Sequence, residues 1–271
     1  MNAAARATCW LLLPAALLVA GCAALPGHPD AGEKLAGFQA LEADPRVLHE
    51  PGAEAFAGRV GPLLPEAMAR VEAAHELPFT AAPRVYVCGT DECFRAVVPE
   101  PPNLTAAVAY DNRLLLHPRL FDREPERLTP VLAHELSHLH LGQRIGHYSP
   151  AVPVWFHEGL ASHAASGGGA DLITEEQARE AIRAGRHFLP AERHDAGARR
   201  DAAHWNLDMS LFYRQSLMLV EHLKARSEGA FRQLLQSIQR RTDFDAAFES
   251  AYGIGADALA EEFFRGVKQS P

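Results

Sequence analysis

Positive charge is in short supply in this chain. Of 271 residues, 26 are Lys or Arg against 34 Asp or Glu, for a formal net charge of −8. A nucleic-acid binder normally shows a basic patch. With this balance and no run of Lys and Arg, neither that function nor a polybasic membrane contact fits. Cysteine is scarce, four in all, and neither Cys88 nor Cys93 has a CxxC companion, so the thiols make poor metal ligands. Long hydrophobic runs are absent except near the start, where Cys9 to Ala20 is apolar but too short for a comfortable membrane span. Repeats and low-complexity segments are missing as well. With 48% hydrophobic residues, the chain has ample material for one sizeable core, and its length permits one or two domains.

At the N-terminus, Arg6 gives a positive start to the apolar stretch, and Val19-Ala20-Gly21-Cys22 places small residues before a cysteine. This resembles the lipobox of bacterial lipoproteins. The resemblance implies a signal peptide over 1–21, cleavage before Cys22 and a lipid on that cysteine. It places the mature chain in the bacterial cell envelope. Ala23, rather than Asp, points by the same resemblance to the periplasmic face of the outer membrane. Residues 22–50, rich in Ala, Gly and Pro, read as a tether, and 51–271 as one domain. In an oxidising envelope the Cys88-x₄-Cys93 pair is most simply a local disulfide.

Apolar positions recur at helical spacing from Ala53 to Leu77, although Gly61-Pro62 and Pro65 threaten to break that helix. Arg84–Cys88 reads as a strand and Asp91–Val98 as a helix. Thr105–Tyr110 and Arg113–Leu116, around the polar pair Asp111-Asn112, read as a hairpin. Thr129 as N-cap and Pro130 as first residue start a helix that runs to about Gly142, with an earlier turn over 124–128 left open. Pro153 opens another, which stops at Ser166-Gly167-Gly168-Gly169. Thr174-Glu175-Glu176-Gln177 is a capping box for a helix to Ala184. Residues 185–207 are polar and irregular. Four amphipathic helices follow, over Asp208–Arg226, Gly229–Arg240, Asp243–Tyr252 and Ala256–Lys268. Strands early and helices to the end predict an α+β fold with its sheet in the N-terminal half.

Chemistry concentrates in His134-Glu135-Leu136-Ser137-His138. Two histidines four apart lie on one helix face and can converge on one Zn²⁺, while the glutamate between them sits beside the metal, placed as a general base. Val131, Leu132, Leu136 and Leu139 mark the helix as core-packed, where two histidines and a glutamate are costly without a partner. A third ligand is sought downstream among His140, His147, His157, Glu158 and His163. His140 is on the wrong face of its helix, and His147 lies in a loop without the glycine-linked extension of a metzincin. His157 and Glu158, neighbours on the next helix, both stay open.

Trp155, Glu158, Gly159 and Ala161 match, position by position, the W-x-x-E-G-x-A helix that follows HExxH in gluzincin peptidases. The segment from about 83 to 225 closely resembles their compact envelope forms, the peptidase MA-like proteins. That resemblance implies a zincin-like fold with Glu158 as the third ligand and His157 beside it or facing solvent. It implies a zinc-dependent peptidase in which Glu135 is the base. Gly159 and Ala161 would let their helix approach the HExxH helix closely. Tyr213 falls where the family often has a Tyr-x-x-Ser element, as a donor to the tetrahedral intermediate or as a packed tyrosine. His147, His163 and His204 are weaker candidates. In zincin folds an edge strand aligns the peptide substrate, a role open to Thr105–Tyr110 or Arg113–Leu116. Two rivals share the residues: an amidase acting on cell-wall peptides, and a non-enzymatic envelope scaffold, against which the intact Glu135 speaks.

Overall fold

The computed structural model describes residues 34–99, 105–147, 149–190 and 201–269. The expected signal peptide, the Cys22 lipidation site and the first part of the tether lie outside them. The tether's later part is not a tether. Gln39–Leu41 (β1) and Asp44–His49 (β2) form an antiparallel pair within the sheet. Val47 is fully buried there, and burial of that alternating strand outweighs a composition that suggested a linker.

The fold is mixed α+β, with a five-stranded sheet in the N-terminal half. Arg84–Val87 (β3), Ala107–Tyr110 (β4) and Arg113–Leu116 (β5) complete it in the order β1-β2-β3-β5-β4. β3 runs parallel to both β2 and β5, and β4 pairs antiparallel with β5. Of the two hairpin strands, β4 is therefore the edge and β5 is interior. The hairpin turn uses Asp111 and Asn112, both at positive φ, the conformation a two-residue type I′ loop requires.

Side chains alternate across the sheet with the period of two that extended backbone imposes. Val85, Val87, Ala107, Ala109, Leu114 and Leu116 face one core. Tyr86, Val108, Tyr110 and Leu115 face another, shared with Phe94 and Val97 of a short helix, Asp91–Val97 (α2). A disulfide between Cys88 and Cys93 ties α2 to the end of β3.

Two long helices cover the first face: Glu54–His75 (α1) and, after a short helix Arg119–Asp122 (α3), Leu128–Ile145 (α4). Pro62 and Pro65 do not break α1. Both rings are exposed, so neither displaces core packing, and the apolar side of α1 stays buried on both flanks of them, at Val60, Leu64, Ala67 and Val71. α4 also starts earlier than Thr129. A 3₁₀ turn over Pro125–Arg127 feeds it, its first residue is Leu128, and no side chain caps it. Pro130 thus sits in the first turn, where the missing N–H has no intrahelical role.

The C-terminal half is a second, purely helical core. It is built from Val154–Ala164 (α5), Glu175–Arg183 (α6), Met209–Arg226 (α7), Glu228–Gln239 (α8), Phe244–Tyr252 (α9) and Ala256–Gln269 (α10). Side-chain caps at Thr174, Asp208, Ser227 and Asp243 satisfy the first backbone N–H groups of α6 to α9. Among the described residues no helix is long and apolar enough to cross a membrane.

α4 is the seam between the two cores. On a helix, 100° per residue puts Leu132, Leu136 and Leu139 on one side, where they join the sheet core. The opposite side faces α5. A third side carries Ser137 and His140 towards the end of α1. His75 Nε2 lies 2.7 Å from Ser137 Oγ, and His140 Nε2 is 2.7 Å from the Leu77 carbonyl. The two rings pack 4.3 Å apart, and Gln239 of α8 donates to the His75 carbonyl at 2.9 Å.

Burial drives both of these imidazoles to stay neutral. It holds His75 well below the usual histidine range, with the nearby His140 and Arg144 adding to the effect, and pushes His140 down to about 4 despite the Leu77 carbonyl. The unfolded chain takes up protons near pH 6.5 that both rings refuse in the fold, His140 until about 4, so the pair favours the fold above 6.5 and the His140 contribution is lost as pH falls towards 4. In urea melts of metal-free protein, stability should drop across that window. His140→Gln should remove on the order of 2 kcal/mol of the drop; an unchanged pH slope in the variant would refute the assignment.

Candidate metal centre

The side of α4 facing α5 carries His134 and His138, one turn apart and 2% and 3% exposed. α5 lies across them and contributes Glu158, equally buried. Glu158 Oε2 is 3.3 Å from His134 Nε2 and 3.4 Å from His138 Nε2, and the two Nε2 atoms are 3.1 Å apart. A tetrahedral cation with N and O ligands at about 2.0–2.1 Å has edges of about 3.3–3.4 Å. The three donor atoms therefore already form one face of such a tetrahedron. Among the described residues this is the one group of three or more His, Cys, Asp or Glu whose ligand atoms converge in this way.

The donor chemistry also fits a cation. His134 Nδ1 lies 3.1 Å from the Gly168 carbonyl, which can only accept, so that nitrogen carries a proton. In the neutral ring Nε2 then turns a lone pair towards His138 and the Glu158 carboxylate. That lone pair and the carboxylate, gathered in a buried space, repel one another unless a proton or a cation sits between them. The titrations carry the same imprint. Burial works against a charged His134, but the Glu158 carboxylate beside it prevails and raises its pKa, helped by the charge of Glu135. Burial likewise works against a charged Glu158, yet the two imidazoles hold its carboxyl far below the usual range.

Glu135, 1% exposed, follows His134 in sequence and so lies 100° round α4, beside the ligand face. Tyr213 comes from α7. Its ring stacks on His134 with centroids 5.8 Å apart and planes 23° from parallel, and it is 4% exposed. The remaining histidines go elsewhere. His157 is buried, with Nε2 3.4 Å from the Ser149 carbonyl. His163 meets Lys224 Nζ at 3.3 Å, His147 sits against Gly142 at the end of α4, and His204 packs edge-on to Trp205.

Gly159 has a different neighbour from the one its sequence context suggests. A Cβ there would come within 2.5 Å of the Ser216 carbonyl and 2.7 Å of Val220, both on α7 rather than α4. Its role is to let α7 press on α5. That contact lies one turn from Tyr213, so the glycine and the tyrosine belong to the same helix-packing event. The Gly168 carbonyl is a feature sequence reasoning missed; its only trace is the glycine run after α5, which reads equally well as a helix stop.

Equilibrium dialysis should find one divalent cation per chain. Glu158→Gln should weaken its binding by about 100-fold or more, since even outer-shell changes cost 10–100-fold; equal affinity would exclude Glu158 as a ligand. Gly159→Ala should destabilise the fold by about 1–3 kcal/mol in chemical denaturation, the usual cost of overpacking. The chain matches no protein-family model, no curated protein and no solved structure, so the motif and this geometry carry what can be inferred about function.

Proposed function

We propose that this chain is a zinc-dependent peptidase of the gluzincin type on a zincin-like fold, held at the bacterial envelope by a lipid on Cys22. The observation that carries the proposal is the convergence of His134, His138 and Glu158 with tetrahedral spacing, with Glu135 next to the first ligand. No fourth His, Cys, Asp or Glu joins the group among the described residues. Structural zinc sites close all four positions with protein, whereas catalytic sites keep one open. Two imidazoles and a carboxylate suit zinc.

When bound, Zn²⁺ supplies Lewis acidity and lowers the pKa of water to about 7, within reach of a carboxylate base. Glu135 takes the proton from the attacking water and passes it to the leaving amine. Tyr213, stacked on His134, donates a hydrogen bond to the oxygen of the tetrahedral intermediate. β4 is the strand on which a peptide would add: among the described residues it ends the sheet, and α4 packs against it. An extended substrate adds there as a further strand, aligned by backbone hydrogen bonds.

Purified full-length protein, loaded with zinc, should cleave peptides in a chelator-sensitive way. Glu135→Gln should retain the metal and lose about 10²–10⁴-fold in kcat. Tyr213→Phe should lose about 100-fold with little change in KM. Hydrolysis left intact by Glu135→Gln would exclude this mechanism. Cleavage confined to cell-wall peptides would identify an amidase instead, and a zinc-loaded protein inert on both substrate classes would be a scaffold.

A further inference from the structure

We infer that the Gly168–Gly169 backbone is the positioning element for His134, setting both the tautomer and the orientation of its ring; the inference rests on reading His134 as a metal ligand. The Gly168 carbonyl accepts from Nδ1 at 3.1 Å, which leaves Nε2 as the nitrogen able to bind a cation. A metal-bound histidine whose other N–H is held this way keeps one ring orientation and gains basicity.

The fit leaves no room for a side chain. A Cβ on Gly169 would lie 2.6 Å from His134 Nδ1 and 2.7 Å from Cε1, and one on Gly168 would lie 2.6 Å from Pro130 Cβ. Pro130 and His134 are one turn apart on α4, so the strap seats across two successive positions of the same face. Gly169 also holds φ at +84°, which disfavours any other residue. The strap is secured within itself and to both sides. Gly167 N donates to the Ser162 carbonyl at 2.8 Å, and Ala170 N to the Gly167 carbonyl at 3.0 Å. Arg70 of α1 reaches Ser166 Oγ at 3.3 Å, and Arg127 lies 3.8 Å from Asp171.

This strap is the direct continuation of α5. The segment that supplies Glu158 therefore also orients His134, and one stretch of chain sets the distance between two ligands and the direction of a lone pair. Any shift of α5 against α4 disturbs both together.

Gly167 provides the control. It too has positive φ, +97°, but a Cβ there meets nothing within 4 Å. Gly167→Ala therefore carries the backbone cost without the contact. In chelator competition on the full chain, Gly169→Ala should weaken Zn²⁺ binding by about 10–100-fold, while Gly167→Ala should keep the wild-type affinity. Equal losses in both variants, or no loss in Gly169→Ala, would overturn the inference. The metal-free protein gives an independent readout. Long-range ¹⁵N–¹H imidazole spectra at alkaline pH should show His134 protonated on Nδ1 in the wild type, and that preference should be lost in Gly169→Ala. Protonation on Nε2 in the wild type would overturn the inference, and this test decides it should Gly169→Ala fail to fold. A wild type that binds no Zn²⁺ would instead sink the metal assignment, with the tautomer still reporting on the strap.

Discussion

Three electron-rich atoms from two helices meet in a buried space, and the rest of the structure is arranged around that meeting. Two imidazole nitrogens and a carboxylate oxygen within 3.1–3.4 Å of one another are unfavourable neighbours unless a cation or a proton lies among them. The fold has to hold α4 and α5 together against that repulsion. It does so with apolar packing on every other side: the sheet core beneath α4, the helical core behind α5, and α1 along their flank.

The polar contacts around α4 are specific where the packing is general. His75 and His140 join the end of α1 to α4 through Ser137 and the Leu77 carbonyl. Gly168 meets His134, and Gly159 admits α7 so that Tyr213 can stack on the same imidazole. Each of these contacts fixes the rotation or depth of a helix that carries one of the three donor atoms. Sub-ångström placement matters at such a centre, because the favoured ligand distances span only about 0.1–0.2 Å. This accounts for the use of backbone carbonyls and glycines, which let elements meet closely because no side chain stands between them.

Much of the framework was legible from periodicity. The hairpin around Asp111-Asn112, the capping box at Thr174 and the four C-terminal helices follow from local spacing and end within a residue or two of the observed boundaries. The misses have physical causes. Residues 39–49 look like linker because a short strand contributes few apolar side chains, and pairing with β3 supplies what its composition does not. Pro62 and Pro65 look like breaks because a sequence does not say which side of a helix faces water. Thr129 looks like a cap because its residue type suits one, whereas the turn left open over 124–128 is the one that forms and carries the chain into the helix without a side-chain cap.

Which residues can act as ligands is a matter of local spacing. Four-residue spacing puts His134 and His138 on one face of any helix they occupy, whatever surrounds it, and Trp155 to Ala161 singled out Glu158 by resemblance. The tetrahedral spacing of the three atoms, the place of β4 rather than β5 at the sheet edge, and the contacts that aim the donor atoms come from packing. Those are relations between segments far apart in the chain, set by how helices and strands pack. A backbone carbonyl such as that of Gly168 is chemically the same at every residue, so only its position in space makes it the partner of His134.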